Sequence, residues 1–180
     1  MTLRLETERL IMRPLAPEDA EAHIAMMQDP EVAGFLTQEG APRARTDEWR
    51  AYASMLGHAQ MRGFGFFSVF EKSSGDWVGR VGPWMPEEWP ALECGWAIAR
   101  PHWGKGYAPE AAVASINWIF NTFPDLTRII SAIDPKNENS QAVARKIGET
   151  KTGETFPLWN FTLDIWAADR NAWLKKFGHG

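Results

Sequence analysis

Residues 99–112 read ARPHWGKGYAPEAA, and they dictate a strand, a glycine-rich turn and a helix in immediate succession. The run before them, ALECGWAI (91–98), reads as a strand. The run after them favours helix from about Tyr107 to Thr122, with Pro124 closing it. A helix start leaves backbone N–H groups without partners and carries the positive end of the macrodipole. Glycines just upstream permit a tight turn and a close approach to those amides. Gly104 and Gly106 therefore frame either an ordinary strand-to-helix turn or an anion site, whose usual occupant is phosphate or pyrophosphate. Ala108 keeps the first turn slim, and Pro109 gives up an N–H that would be unpaired there anyway.

The familiar nucleotide signatures do not fit. A Walker loop ends in Gly-Lys-Ser/Thr, whereas Lys105 stands between the glycines and no Ser or Thr follows. The dinucleotide fingerprint wants Gly or Ala where this chain has Pro109, and a strand carrying Glu93 is too polar for the buried first strand of a Rossmann sheet.

The rest of the chain reads as mixed α and β. Strands are expected at 8–15, 64–71, 76–84 and 128–133, and TFPLWNFTLDIWA (155–167) reads as a closing hairpin. Helices are expected after Pro17, ended by Asp29-Pro30, and from a Thr46 cap to about Met61, with Gly63 just beyond. A last helix, SQAVARKI, stops at Gly148. The pattern is an α/β (α+β) arrangement: a mostly antiparallel meander with one strand–loop–helix–strand crossover, in a single domain over 1–180.

A chain of 180 residues buries a sizeable core unaided, and its net charge of −4 disfavours nucleic acid as a partner. Cys94 stands alone, so no internal disulfide forms. No apolar run reaches membrane-spanning length and the N-terminus lacks a signal-peptide core, so a cytoplasmic location is expected. No histidine pair has metal-ligand spacing, and no metal is expected. Ten tryptophans are the one oddity; they pack a core, or some of them, such as Trp84, Trp89, Trp96 and Trp159, wall a substrate pocket.

With these residues in view, PHWGKGYA resembles the Q/R-x-x-G-x-G/A signature of the GNAT superfamily of acetyl-CoA-dependent N-acetyltransferases. Three blocks in the same order carry the likeness. LETERLIMRPLAPEDAEA is similar to the opening of the branch that includes the ribosomal-protein N-terminal (alanine) acetyltransferases. LECGWAIARPHWGKGYAPEAA resembles its strand, loop and helix, including Glu110, and IDPKNENSQAVARKIG its Asn-x-x-Ser helix. Two positions depart from the pattern. Pro101 occupies the Q/R site, with Arg100 one residue earlier, and Glu149 stands where an aromatic residue is usual.

The resemblance implies a mixed, mostly antiparallel sheet of about seven strands with a splayed pair, flanked by about four helices. It implies acetyl-CoA held by Trp96, Ile98, Trp103, Gly104, Lys105, Gly106, Tyr107, Ala108, Asn137 and Ser140. The acceptor would be a primary amine on a small molecule or a peptide N-terminus, attacking directly in a ternary complex. Family members occur as monomers and as homodimers.

Acetyl transfer needs a neutral amine, a polarised carbonyl and a proton for the leaving thiolate. Glu93, charged within an apolar strand, is the candidate base or acceptor anchor, and a solvated face is its plain alternative. By resemblance, a backbone amide near Trp96 to Ile98 polarises the carbonyl. Neither Tyr52 nor Tyr107 sits where relatives place an acidic tyrosine, and Ser140 takes that role by resemblance. Asn137 is expected to cap its helix and, by resemblance, to touch the coenzyme. Cys94 reads as a small buried hydrophobe, and His23, His58, His102 and His179 carry no catalytic expectation. The alternative reading is a protein that binds coenzyme A as a regulator or scaffold without turnover.

Overall fold

The computed structural model describes residues 3–178. In chain order it has β1 (Leu5–Glu6), β2 (Leu10–Pro14), α1 (Ala20–Met27), α2 (Pro30–Ala33), α3 (Arg45–Arg62), β3 (Phe67–Glu71), β4 (Trp77–Trp84) and β5 (Glu93–Ile98). There follow α4 (Tyr107–Thr122), β6 (Arg128–Ile133), α5 (Glu138–Lys146), β7 (Thr150–Leu158), β8 (Phe161–Asp169) and α6 (Arg170–Phe177). One sheet orders the strands β1-β2-β3-β4-β5-β6-β8-β7. All neighbours are antiparallel except β5 and β6. No helix among the described residues is long and apolar enough to cross a membrane.

The described residues form eight strands and six α-helices, against about seven and about four expected, in the same mixed, mostly antiparallel arrangement. The additions are the two-residue β1, too short to show a period, the four-residue α2, and α6. Asp29-Pro30 does not merely end a helix but starts one: Asp29 accepts the Glu31 N–H at 2.9 Å, and Pro30 takes the first helical position, where its missing N–H costs nothing. The cap of α3 is Ala44, not Thr46, which lies inside the first turn. Gly63 does close α3 in the left-handed conformation, with φ 76°.

Helix α4 shows why the crossover lies close to the sheet. Ala111, Ala112, Ser115, Ile116, Ile119 and Phe120 fall on one stripe and are all buried. Its N-terminal half presents alanines, so the backbone approaches β4 and β5 closely. Cys94 packs into this core, while its neighbour Glu93 faces the other way, toward a cleft bordered by α3. Cys94 is thus the small buried hydrophobe expected. Burial pushes its thiol up, which disfavours an acyl-cysteine.

The parallel contact between β5 and β6 is confined to Glu93 opposite Ile130. Beyond it the strands part. The Leu92 carbonyl accepts the Ile130 N–H at 3.1 Å and the Cys94 carbonyl accepts the Ser131 hydroxyl at 2.9 Å, so both turn toward β6. The same alternation aims the backbone groups of Trp96 and Ile98 into the gap, where β6 no longer pairs with β5.

Candidate active site

The glycine loop and α4 form one wall of a groove of about 380 Å³. Gly104 (φ 76°) and Gly106 (φ 80°) both hold left-handed conformations, which other residues enter at a cost. Gly106 caps α4 without any side-chain acceptor, so the first-turn amides at Tyr107 and Ala108 are left for a ligand. Trp96, Ile98, Trp103, Gly104, Gly106, Tyr107, Ala108, Asn137 and Ser140 all line the groove. Lys105 does not: its carbonyl accepts from Arg9 Nη1 at 2.9 Å, and its ammonium lies 5.7 Å from the Tyr107 ring.

Loop geometry is held from behind by partners that the sequence left unremarked, among them Arg9, Thr7 and Glu71. Glu110, in the first turn of α4, accepts from the Arg9 N–H at 2.9 Å, from Arg9 Nε at 2.7 Å and from the Thr7 hydroxyl at 2.5 Å. Tyr107 donates to Glu71. Trp103 Nε1 donates to the Ile98 carbonyl at 2.6 Å and ties the loop to the end of β5. Arg100 is drawn instead to Glu31, at 3.0 Å, on α2. His102, Asn139 and Lys146 also line the groove; spacing alone does not single out any of them. His179 lies outside the described residues.

On the far side of β5 a second cleft of about 410 Å³ opens between α3, β4, β5 and the tip of the β7–β8 hairpin. All four tryptophans named as candidate pocket walls, Trp84, Trp89, Trp96 and Trp159, line it. Trp159 itself forms the hairpin tip with a positive φ of 53°, a strained state for an aromatic residue. Glu93 projects into this cleft yet is only 8% exposed. Burial raises its carboxyl to about 7. Trp89 Nε1 at 2.6 Å and the Ala132 N–H at 3.5 Å donate to it and restrain that rise. A carboxyl poised near neutrality is suited to proton transfer.

The clefts meet. Trp96, Asn137 and Ser140 line both. Asn137 Oδ1 accepts the Ser140 N–H at 3.0 Å, capping α5. Trp96 Nε1 donates to Ser140 Oγ at 3.2 Å, which leaves the hydroxyl hydrogen free to be given elsewhere. A base in one cleft, a helix N-terminus in the other and a hydroxyl at their junction can serve transfer of a group between an anionic carrier and an acceptor.

The profile of the Acetyltransferase (GNAT) domain family matches residues 9–150. The chain belongs to the GNAT acetyltransferase family. It is 31% identical to the acetyltransferase from Agrobacterium tumefaciens strain C58, whose crystal structure superposes with a TM-score of 0.81 over 93% of this chain and 95% of that one. It is 29% identical over 151 residues to the uncharacterized N-acetyltransferase p20 of Bacillus licheniformis, covering 83% of each chain. An aminoglycoside acetyltransferase, AAC(6')-Ib, solved in complex with coenzyme A, shares the fold with a TM-score of 0.74 at 16% identity, over 93% of this chain and 98% of that one. The protein is therefore an N-acetyltransferase of this family, and family membership favours turnover over a passive scaffold.

Proposed function

We propose that residues 1–180 act as one unit that moves an acetyl group from acetyl-CoA to a primary amine, by direct attack in a ternary complex. The observation that carries this reading is the meeting of the two clefts at Trp96 and Ser140, with Glu93 in one and the open amides of α4 in the other.

The groove fits coenzyme A. The amides of the Gly104–Ala108 turn would hold the pyrophosphate, and Gly104 has open space where a Cβ would stand. Trp96 and the Ile98 N–H offer β5 backbone that pairs with no strand to the pantetheine arm, and Ala142 and Val143 line the groove from α5. Bound acetyl-CoA supplies an acyl carbonyl already activated as a thioester.

The chain's own residues do the rest. Glu93, ionised above about pH 7, takes a proton from the incoming ammonium and leaves a neutral amine beside the gap in the sheet. A backbone N–H at Trp96 or Ile98 stabilises negative charge on the carbonyl oxygen as the N–C bond forms. As the C–S bond breaks, the Ser140 hydroxyl gives its proton to sulfur. It regains one from solvent, which also receives the second amine proton. A thiol near pKa 8.5 needs only this modest help.

Incubating the protein with acetyl-CoA and a panel of peptides, polyamines, amino acids and aminoglycosides should release free thiol with at least one class. Silence across the panel, in protein that binds acetyl-CoA, overturns the reading.

A further inference from the structure

The 410 Å³ cleft holds a second charge that acetyl transfer does not use. On the face of the β4–β5 pair that bears Glu93, three rows follow one another: Trp84 opposite Glu93, Gly82 opposite Gly95, and Arg80 opposite Ala97. The middle row is a floor without side chains. A Cβ on Gly95 would stand 3.6 Å from Glu93 Oε1 and 3.1 Å from the Phe66 ring, so glycine there keeps the space beside the base open.

Arg80 lines this cleft and is only 7% exposed. Its guanidinium lies 4.2 Å over the Phe66 ring, which positions the planar group without satisfying its donors. Of its five N–H donors, none makes a hydrogen bond within the described residues, no carboxylate lies within salt-bridge distance, and Nε is buried without a partner. Glu48 and Glu93 are the carboxylates whose charge it feels, and Glu48 is already held by His23 Nε2 at 2.8 Å. Burial draws Arg80 down to about 10, so it remains a cation at neutral pH. A buried, unpaired guanidinium is costly unless something completes it, and its rigid fork matches a carboxylate.

We propose that Arg80 is an anion-binding subsite for the acceptor, and that the acceptor is an amine which also carries a carboxylate on an apolar or aromatic body. The amine would sit at Glu93, the carboxylate at Arg80, and the body would cross the glycine floor between Phe66, Trp84 and Trp159. This rests on the acetyl-transfer reading for the amine end only; the anion end is testable without turnover.

Matched acceptors test it: phenylalanine, phenylalaninamide and phenethylamine, with a parallel set of straight-chain ω-amino acids and alkylamines to read spacing. In thiol-release assays kcat/KM should favour the carboxylate member of at least one set by tenfold or more. Arg80→Gln should collapse that ratio toward one through KM, with Arg80→Lys between. Equal rates for carboxylate and neutral members overturn the proposal, as does an equal loss for both in Arg80→Gln. Binding is read separately with phenylacetate and indole-3-acetate, which have no amine. Saturable binding to the wild type, lost in Arg80→Gln, supports the subsite even where no amine is acetylated. No binding to the wild type overturns it whether or not amines turn over.

Discussion

The Ser131 hydroxyl lies 3.0 Å from the Glu149 carboxyl and 2.9 Å from the Cys94 carbonyl, inside the sheet. A hydroxyl has one hydrogen, and the Cys94 carbonyl is a group that can only accept it. Where that hydrogen goes to Cys94, a protonated Glu149 carboxyl closes the second contact by donating to Ser131 Oγ. Burial raises Glu149 to about 8, the Ser131 hydroxyl restrains that rise, and Glu93 nearby adds to it. The departure from an aromatic residue at this position thus becomes a neutral acid bracing β6 against β5 beside the gap.

Stability should fall with pH across this window. Glu93 and Glu149 keep their protons in the folded chain where an unfolded glutamate has lost its own. Their contribution is complete below about pH 4.5 and is lost as pH rises through about 7 and about 8. Glu149→Gln keeps a donor for Ser131 and cannot ionise. Urea melts should place it near wild type at pH 5 and ahead by roughly 2 to 4 kcal/mol at pH 8.5. Glu149→Ala, which removes one of the two partners of Ser131 and opens a void, should lose about 2 kcal/mol at pH 5. A constant offset between wild type and Glu149→Gln at both pH values would refute the protonated state.

The pH–rate profile should report Glu93. With a saturating acyl donor, kcat/KM should rise with pH through about 7, and the acceptor amine should add its own limb at higher pH. Glu93→Gln should remove the lower limb and cost about 100-fold. Trp89 donates to the ionised form and holds the value down, so Trp89→Phe should move that limb upward. Persistence of the lower limb in Glu93→Gln would assign it to another group.

How far the sequence reached follows from what each element depends on. Helix α4 runs over the 107–122 expected, because capping glycine, alanine stripe and terminal proline are all local signals. The glycine loop and the Asn137 cap are legible for the same reason. Arg80 was not legible, because an arginine in GRVGPW reads as a solvated residue until β5 and α3 close over it. Arg9 and Thr7 were missed likewise: their bonds to Glu110 cross about a hundred positions. Glu93 could be picked out because charge inside an apolar strand is itself a signal, but its partner Trp89 depends on how the β4–β5 loop folds back.

The two loop glycines should respond differently to substitution. A Cβ on Gly106 would meet Arg9 Nη2 at 3.5 Å, and the position needs positive φ, so Gly106→Val should lower the melting temperature as well as coenzyme affinity. Gly104 needs positive φ too but opens onto free space, and asparagine tolerates that conformation. Gly104→Asn should therefore cost about 1 kcal/mol or less of stability while weakening acetyl-CoA binding tenfold or more by calorimetry. Undiminished affinity in Gly104→Asn would remove the loop from the binding site.

Ser140 and Trp96 separate proton donation from orientation. Ser140→Ala removes the hydroxyl that faces both clefts, and with it the proton offered to the leaving sulfur. Because water can substitute, kcat should fall only about tenfold, with KM for the amine little changed. Trp96→Phe keeps the hydroxyl but removes the 3.2 Å bond that points its hydrogen away from the indole, so it should lower kcat less. Replacing the thiol with a less basic leaving group, an aryl thioester of low thiol pKa, should shrink the Ser140→Ala defect, since a stable thiolate needs no acid. A defect of the same size with both donors would mean that the Ser140 hydroxyl acts without giving up its proton, since Ser140→Ala keeps the N–H that Asn137 caps.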